Sequence, residues 1–412
     1  MGIKILFTTP ILEHPAAGGP ALRIINSIKA LDVMSELHVI SRCGHQAIGG
    51  ADAEAYFCST SSAFGYAPHQ KGTGDHVGET RNAKAIVQYA HRQQIAIIWC
   101  GYGNISHTLL NEIKRLNSSL KVVCDTDAVW SRFVLRELPF ESDPARRKHI
   151  YLEGRAKERE EAEWVELCDV ITAVSEVDAT YYRHIARDKS RIHIFPNAID
   201  LDSYSNAPEP ACDVIRPALY MAGSFYAPGS PMARAARWMI AEILPLVRRE
   251  IPQIRLYVIG NGADKMLEDI HLPQVIIKGK VPSVLPYLCH CDVALVPLMF
   301  ESGTRFKILE AAACGIPVVS TTLGAEGLAM RHGYEILIAD EPADFAASIV
   351  RLVRDKEFAR GLARNAKRIV QNAYGIASLK EAAMKILAYL TGENRLTPPH
   401  LRNSYDCISQ SG

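Results

Sequence analysis

The run ESGTRFKILEAAACGIPVVSTTLGAEGL, residues 301–328, gathers residue types that hold a charged, hydroxylated ligand. Gly303 and Thr304 open a loop, and Arg305 and Lys307 bring two cations to the start of a helix. Ile308, Leu309, Ala311 and Ala312 give that helix an apolar face, with Glu310 among them. Gly315 is suited to closing it and Pro317 to starting the next element. Val318 and Val319 then fit a parallel strand covered on both sides. Loop amides and cations at a helix N-terminus make an anion site suited to phosphate. A carboxylate further along the helix would reach sugar hydroxyls. Phosphate at one end and sugar at the other describe a nucleotide-sugar.

The segment Gly303-Thr304-Arg305-x-Lys307-Ile308-Leu309-Glu310-Ala311 is followed by Cys314-Gly315-x-Pro317-Val318-Val319-Ser320-Thr321 and Gly324-Ala325-Glu326-Gly327-Leu328. Together these resemble the donor-site motif of glycosyltransferase family 4, in its Gly-Thr-Arg-x-Lys-Ile-Leu-Glu-Ala subgroup form. The resemblance implies a retaining enzyme with two Rossmann-like domains facing a cleft, the GT-B architecture. It implies a sugar moved from a nucleotide-diphosphate sugar to a hydroxyl acceptor (a saccharide, a lipid-linked sugar or a small molecule) in glycan or glycolipid synthesis. The nucleotide-sugar would be a co-substrate, with no separate cofactor. Arg305 and Lys307 would stabilise the departing diphosphate, and Glu310 would hold ribose hydroxyls. Glu301 and Ser302 stand where relatives carry the first of two glutamates, so the pattern is altered there. No clustered carboxylates for a hard metal ion appear, so basic groups are expected to replace the metal. Two alternatives stay open: a non-catalytic sugar-nucleotide-binding protein, and a sugar-nucleotide epimerase or phosphorylase on the same fold.

Further residues fit the resemblance. The Gly18-Gly19 loop before the helix carrying Arg23 would face the donor diphosphate. Gly223 and Ser224 follow the first strand of the second half, without the Arg/Lys pair relatives place just beyond. Gly260, Asn261 and Val281, each after a strand, would flank the base. Asp127 sits at a strand end where many relatives have a histidine nearby; a helix-capping role is its other reading. Val174-Ser175-Glu176 and Pro196-Asn197-Ala198 match the family's turn and hinge signatures.

Positioning these residues requires alternating strands and helices in both halves, an α/β pattern with parallel sheets. Strands are expected at Ile3–Thr8, Leu37–Ile40, Ile95–Trp99, Lys121–Cys124 and Asp169–Val174 in the first half. Those of the second half are expected at Leu219–Ala222, Leu256–Ile259, Val275–Ile277 and Val293–Val296. Pro144–Leu167 reads as a long charged helix and Phe195–Pro217 as a linker. The expected organisation is an acceptor-side domain over 1–200 and a nucleotide-sugar domain over 201–376. A helix over 377–392 would pack back on the first domain, ahead of a polar tail over 393–412.

At 412 residues two domains are the default. A formal net charge of +1 gives no sign of a nucleic-acid partner. No apolar run approaches a membrane-spanning length, which leaves only peripheral membrane contact open. The ten cysteines include no Cys-x-x-Cys, as expected of reduced thiols in a cytoplasmic protein. The Cys289-His290-Cys291 run is read as lying beside a buried strand rather than as a metal site.

Overall fold

The computed structural model describes residues 2–70, 75–211 and 213–392. The tail expected over 393–412 lies outside the described residues.

The chain forms two parallel sheets. The first holds β1 (Lys4–Thr9), β2 (Glu36–Ser41), β3 (Ala63–Tyr66), β4 (Ile97–Gly101), β5 (Lys121–Asp125), β6 (Val170–Ala173) and β7 (Ile192–Ile194). Its order is β3-β2-β1-β4-β5-β6-β7. The second holds β8 (Ala218–Ala222), β9 (Arg255–Ile259), β10 (Val275–Lys278), β11 (Val293–Val296), β12 (Val318–Ser320) and β13 (Leu337–Ile338). Its order is β10-β9-β8-β11-β12-β13. In each sheet the strand order reverses next to the first strand. That reversal leaves a crevice at the carboxyl ends, between β1 and β4 and between β8 and β11.

The sequence explains the layering. The central strands are nearly continuous apolar runs, and β4 and β11 are buried along their full length. Helices on both faces of a parallel sheet demand such runs. Helix Gly19–Asp32 starts at Gly18, whose φ of 85° favours glycine, and carries Pro20 in its first turn. It buries Ile24, Ile25, Ile28 and Leu31. The last helix, Ile376–Thr391, packs against it and buries Leu379, Ala383, Ile386 and Leu387. Their spacing makes one apolar stripe.

The described residues cluster into two units. Unit 1 takes residues 2–131, 148–197 and 376–392; unit 2 takes 132–147 and 198–375. Residues 132–147, expected inside the first domain, group with the second. Two separate ion pairs tie this segment to unit 2: Arg136 pairs with Glu326 and Glu137 with Arg234.

Among the described residues no helix is long and apolar enough to cross a membrane.

Candidate functional site

In unit 2, the loops after β8 and β11 open at the switch point. Gly223 follows β8, and a Cβ there would fall 2.8 Å from the Met232 sulfur. Gly260 has φ 143°, and its Cβ would lie 1.8 Å from the Gly223 carbonyl oxygen. The Phe225 amide donates to the Asn261 carbonyl at 2.8 Å. Gly260 and Asn261 therefore seat the Gly223 loop through backbone packing. Ser224 is exposed and Val281 half-buried.

The loop after β11 carries the motif. Gly303 adopts φ 79°. Ser302, Thr304 and Arg305 are buried. Sequence reasoning sets Arg305 beside a phosphate; in the structure its guanidinium turns inward. It donates to the Ser302 carbonyl at 2.7 Å and the Gly303 carbonyl at 2.6 Å, fixing the loop's shape. No side chain caps the N-terminus of the helix that follows, Phe306–Ala313.

That helix buries Ile308, Leu309, Ala311 and Ala312, whereas Lys307 and Glu310 are half-buried on the same face, three residues apart. The Lys307 ammonium donates to the Met232 sulfur at 2.9 Å. Burial pushes it down to about 8, with the nearby Glu301 charge opposing and Arg305 assisting. Burial also raises the Glu310 carboxyl, against a hydrogen bond from Tyr204 and the Lys307 charge. The Tyr204 hydroxyl donates to Glu310 Oε1 at 3.0 Å.

Glu301 offers its carbonyl to Arg136 at 2.7 Å. Arg136 also forks onto both oxygens of Glu326, at 2.7 and 2.8 Å. Arg132 stands 3.6 Å from the same carboxylate. Burial would raise Glu326, yet the Arg136 hydrogen bonds outweigh it and hold the group below its ordinary range.

In unit 1, Gly18 is exposed, with open space where a Cβ would stand. Arg23 is buried and bonded to Asp125 at 2.5 Å and Asn197 at 2.8 Å. Asp127 accepts from Asn104 at 2.9 Å and Trp130 at 3.3 Å, and burial raises its carboxyl. The Tyr102 phenol also hydrogen-bonds Asp127. Tyr102 holds φ 55°, a left-handed conformation that is costly for a bulky residue and recurs at functional sites.

Unit 2 thus brings together Gly223, Glu301 to Arg305, Lys307 and Glu310. Unit 1 holds Gly18, Gly19 and Asp127. Sequence reasoning missed Tyr204, Met232, Arg136, Tyr102 and Asn104. Only Arg136 left a trace: Arg132 and Arg136, four apart, put two cations on one helical face.

The Cys289-His290-Cys291 run disperses. His290 Nε2 meets the Pro208 carbonyl at 2.7 Å, buried Cys291 donates to the Leu288 carbonyl, and Cys289 is half-buried. Among the described residues no group of three or more His, Cys, Asp or Glu is placed to hold a metal ion.

Residues 216–355 match the family described as glycosyl transferases group 1. A D-inositol 3-phosphate glycosyltransferase of Thermobispora bispora is 32% identical over 148 residues, covering 33% of this chain and 34% of that protein. The N-acetyl-alpha-D-glucosaminyl L-malate synthase of Bacillus anthracis is 23% identical over 128 residues, covering 29% of this chain and 33% of its own. The chain spans between 33% and 52% of the length of the curated relatives it matches. Among solved structures, sucrose-phosphate synthase from Thermosynechococcus elongatus superposes with a TM-score of 0.71 at 15% identity, covering 95% of this chain and 99% of that one. Anabaena HepE, solved in complex with UDP and glucose, gives 0.67 at 14% identity, covering 94% and 99%. These likenesses establish the fold: two Rossmann-like α/β domains of the GT-B type, as the family resemblance of the motif implied.

Proposed function

We propose that this chain is a retaining glycosyltransferase that moves a sugar from a nucleotide-diphosphate sugar to a hydroxyl acceptor. The observation that carries the reading is the helix Phe306–Ala313 at the second sheet's switch point. It starts uncapped behind a glycine loop and presents Lys307 and Glu310 on one face. The match of residues 216–355 to a glycosyltransferase family supports it, as does a structural relative that holds UDP and glucose.

In this reading the first-turn amides and Lys307 receive the diphosphate. Negative charge grows on that group as the bond to the anomeric carbon breaks, and these donors stabilise it. Arg305 shapes the loop around the phosphate through the Ser302 and Gly303 carbonyls, leaving Lys307 as the cation at the leaving group. Glu310 binds ribose hydroxyls, with one of its oxygens oriented by Tyr204. Unit 1 supplies the acceptor side, where Asp127, raised by burial and held by Asn104 and Trp130, receives or orients a hydroxyl. The reaction proceeds without a metal ion, and the protein works in the cytoplasm.

The test is a thermal-shift screen of nucleotide-sugars, followed by transfer assays with the stabilising donor. The expected result is stabilisation by one nucleotide-sugar and product with the donor's anomeric configuration, formed in the presence of a chelator. No stabilisation by any nucleotide or nucleotide-sugar would overturn the donor site. Product of inverted configuration would overturn the retaining assignment.

A further inference from the structure

The long helix Pro144–Leu167 buries one face through Ile150, Gly154, Glu161, Trp164 and Val165. Lys148, Tyr151, Leu152, Arg155 and Arg159 recur at helical spacing on the opposite face, all exposed and all in unit 1. Tyr151 is 53% and Leu152 56% exposed. Among the described residues no other two large apolar side chains adjacent in sequence are both exposed. A lone exposed leucine is ordinary. An adjoining apolar pair set between cations has the composition of a contact surface.

The stripe is basic, although the whole chain carries only +1. Over residues 148–159 the cations Lys148, Arg155, Lys157 and Arg159 outnumber Glu153 and Glu158. Glu158 pairs with Arg155, and Glu153 stands 3.6 Å from His149, to one side of the stripe. Lys148 and Arg159 bracket the apolar pair, and both are exposed. The two cations before the stripe are engaged: Arg146 lies 3.6 Å from Glu137, and Arg147 donates to the Leu138 and Glu141 carbonyls.

We propose that this stripe docks the protein on a membrane surface that carries anionic lipid. Lys148, Arg155 and Arg159 meet the lipid phosphates, their long stems keeping the charged heads at the interface. Tyr151 sits at headgroup level, where an amphipathic ring is favoured, and Leu152 enters the boundary of the acyl chains. A nucleic acid would take up the cations and leave Leu152 in water, so the apolar pair favours lipid. Two apolar side chains and a few cations make a reversible, salt-dependent contact rather than an anchor. The docking is independent of the nucleotide site.

Flotation of the full chain tests it, with vesicles of phosphatidylcholine alone and of phosphatidylcholine mixed with phosphatidylglycerol. The chain is expected to float with the anionic vesicles at low salt, to stay behind with the neutral ones, and to be released as salt rises. Lys148→Gln with Arg159→Gln should weaken partition about twenty-five-fold, at about five-fold per cation. Tyr151→Ser with Leu152→Ser should weaken it about ten-fold. All four side chains are exposed, so both variants should melt with the parent. Tyr151→Trp should add fluorescence that brominated lipid quenches beyond any quenching of the parent. No flotation with anionic vesicles at low salt overturns the docking, as does flotation that both double variants leave unchanged. Binding of an RNA oligonucleotide by a chain that ignores vesicles, lost in Lys148→Gln with Arg159→Gln, would assign the cations to nucleic acid and overturn it too.

Discussion

Glu310 and Lys307 sit one helical turn apart, and their surroundings set what each can do. The Glu310 carboxylate takes one hydrogen bond from Tyr204 at 3.0 Å, and its other oxygen has no such phenol partner. Glu310→Ala is expected to weaken nucleotide-sugar binding by about 2 kcal/mol, the scale for losing hydrogen bonds to a charged group. Tyr204→Phe is expected to do so less, because the carboxylate keeps its charge. Isothermal titration of both folded variants would check the order; equal affinity in Glu310→Ala and the parent would remove the ribose role. Lys307 gives a pH signature. An anion beside it favours the protonated ammonium and lifts its titration above about 8. Affinity for nucleotide diphosphate is therefore full below about pH 8 and falls as pH rises through that value towards the lifted one. Binding at pH 8 should take up a proton, seen as an enthalpy that varies with the buffer's own ionisation heat. Lys307→Arg, which keeps its charge, should bind with a flat profile. The stability sign for Lys307 is opposite: the folded group titrates below its ordinary 10.5, so the folding penalty is fully present below about pH 8 and is relieved between about 8 and 10.5.

At the scale of the elements, the loop after β11 is held from two directions. Arg305 pins it from within, while Arg136 joins the Glu301 carbonyl to Glu326. Arg136→Ala would leave a partly buried Glu326 with its fork unpaired and is expected to cost about 2 kcal/mol of stability. Combined with Glu326→Gln, the loss should be less than the sum of the single losses, because the two side chains share one interaction. Chemical denaturation of the four proteins would measure it, and strict additivity would show that the pair does not act as a unit. The central strands were legible because β4, β8 and β11 are unbroken apolar runs and β1 carries Ile5, Leu6 and Phe7 in succession. β3, β7 and β13 escaped for physical reasons: each is a sheet edge, short, and covered on fewer sides. The motif loop and its helix were readable because their chemistry is local. Tyr204 and Arg136 were not, since they reach Glu310 and Glu326 across 106 and 190 residues, and only the folded chain brings them there. The inward turn of Arg305 was hidden for a related reason: a sequence shows a cation but not which carbonyls its loop exposes to it.

On the scale of the whole molecule, the chain passes between its two units at 131/132, 147/148, 197/198 and 375/376. Neither unit is one continuous segment, and unit 1 is completed only by the last helix. That helix buries Leu379, Ile386 and Leu387, and it lies against Gly19–Asp32. Each large aliphatic side chain contributes about 1.5–3 kcal/mol when fully buried. A domain's net stability is about 5–15 kcal/mol, so losing three such side chains leaves unit 1 marginal. A chain ending at Gly375 keeps every described residue of unit 2, including the Ile199 amide's hydrogen bond to the Tyr374 carbonyl at 2.8 Å. The shortened chain is therefore expected to lose the cooperative melting of unit 1 while unit 2 still unfolds as a unit. Nucleotide diphosphate at a hundred times its dissociation constant should stabilise that remaining transition by about 2.7 kcal/mol, because the ligand binds the folded form alone. Differential scanning calorimetry with and without nucleotide separates the two effects, and hydrogen exchange assigns each transition to its residues. Protection by nucleotide should appear around residues 301–313 in both the full and shortened chains. If the shortened chain no longer gains stability from nucleotide while its second sheet remains protected from exchange, the donor site depends on unit 1, and its assignment to unit 2 alone fails.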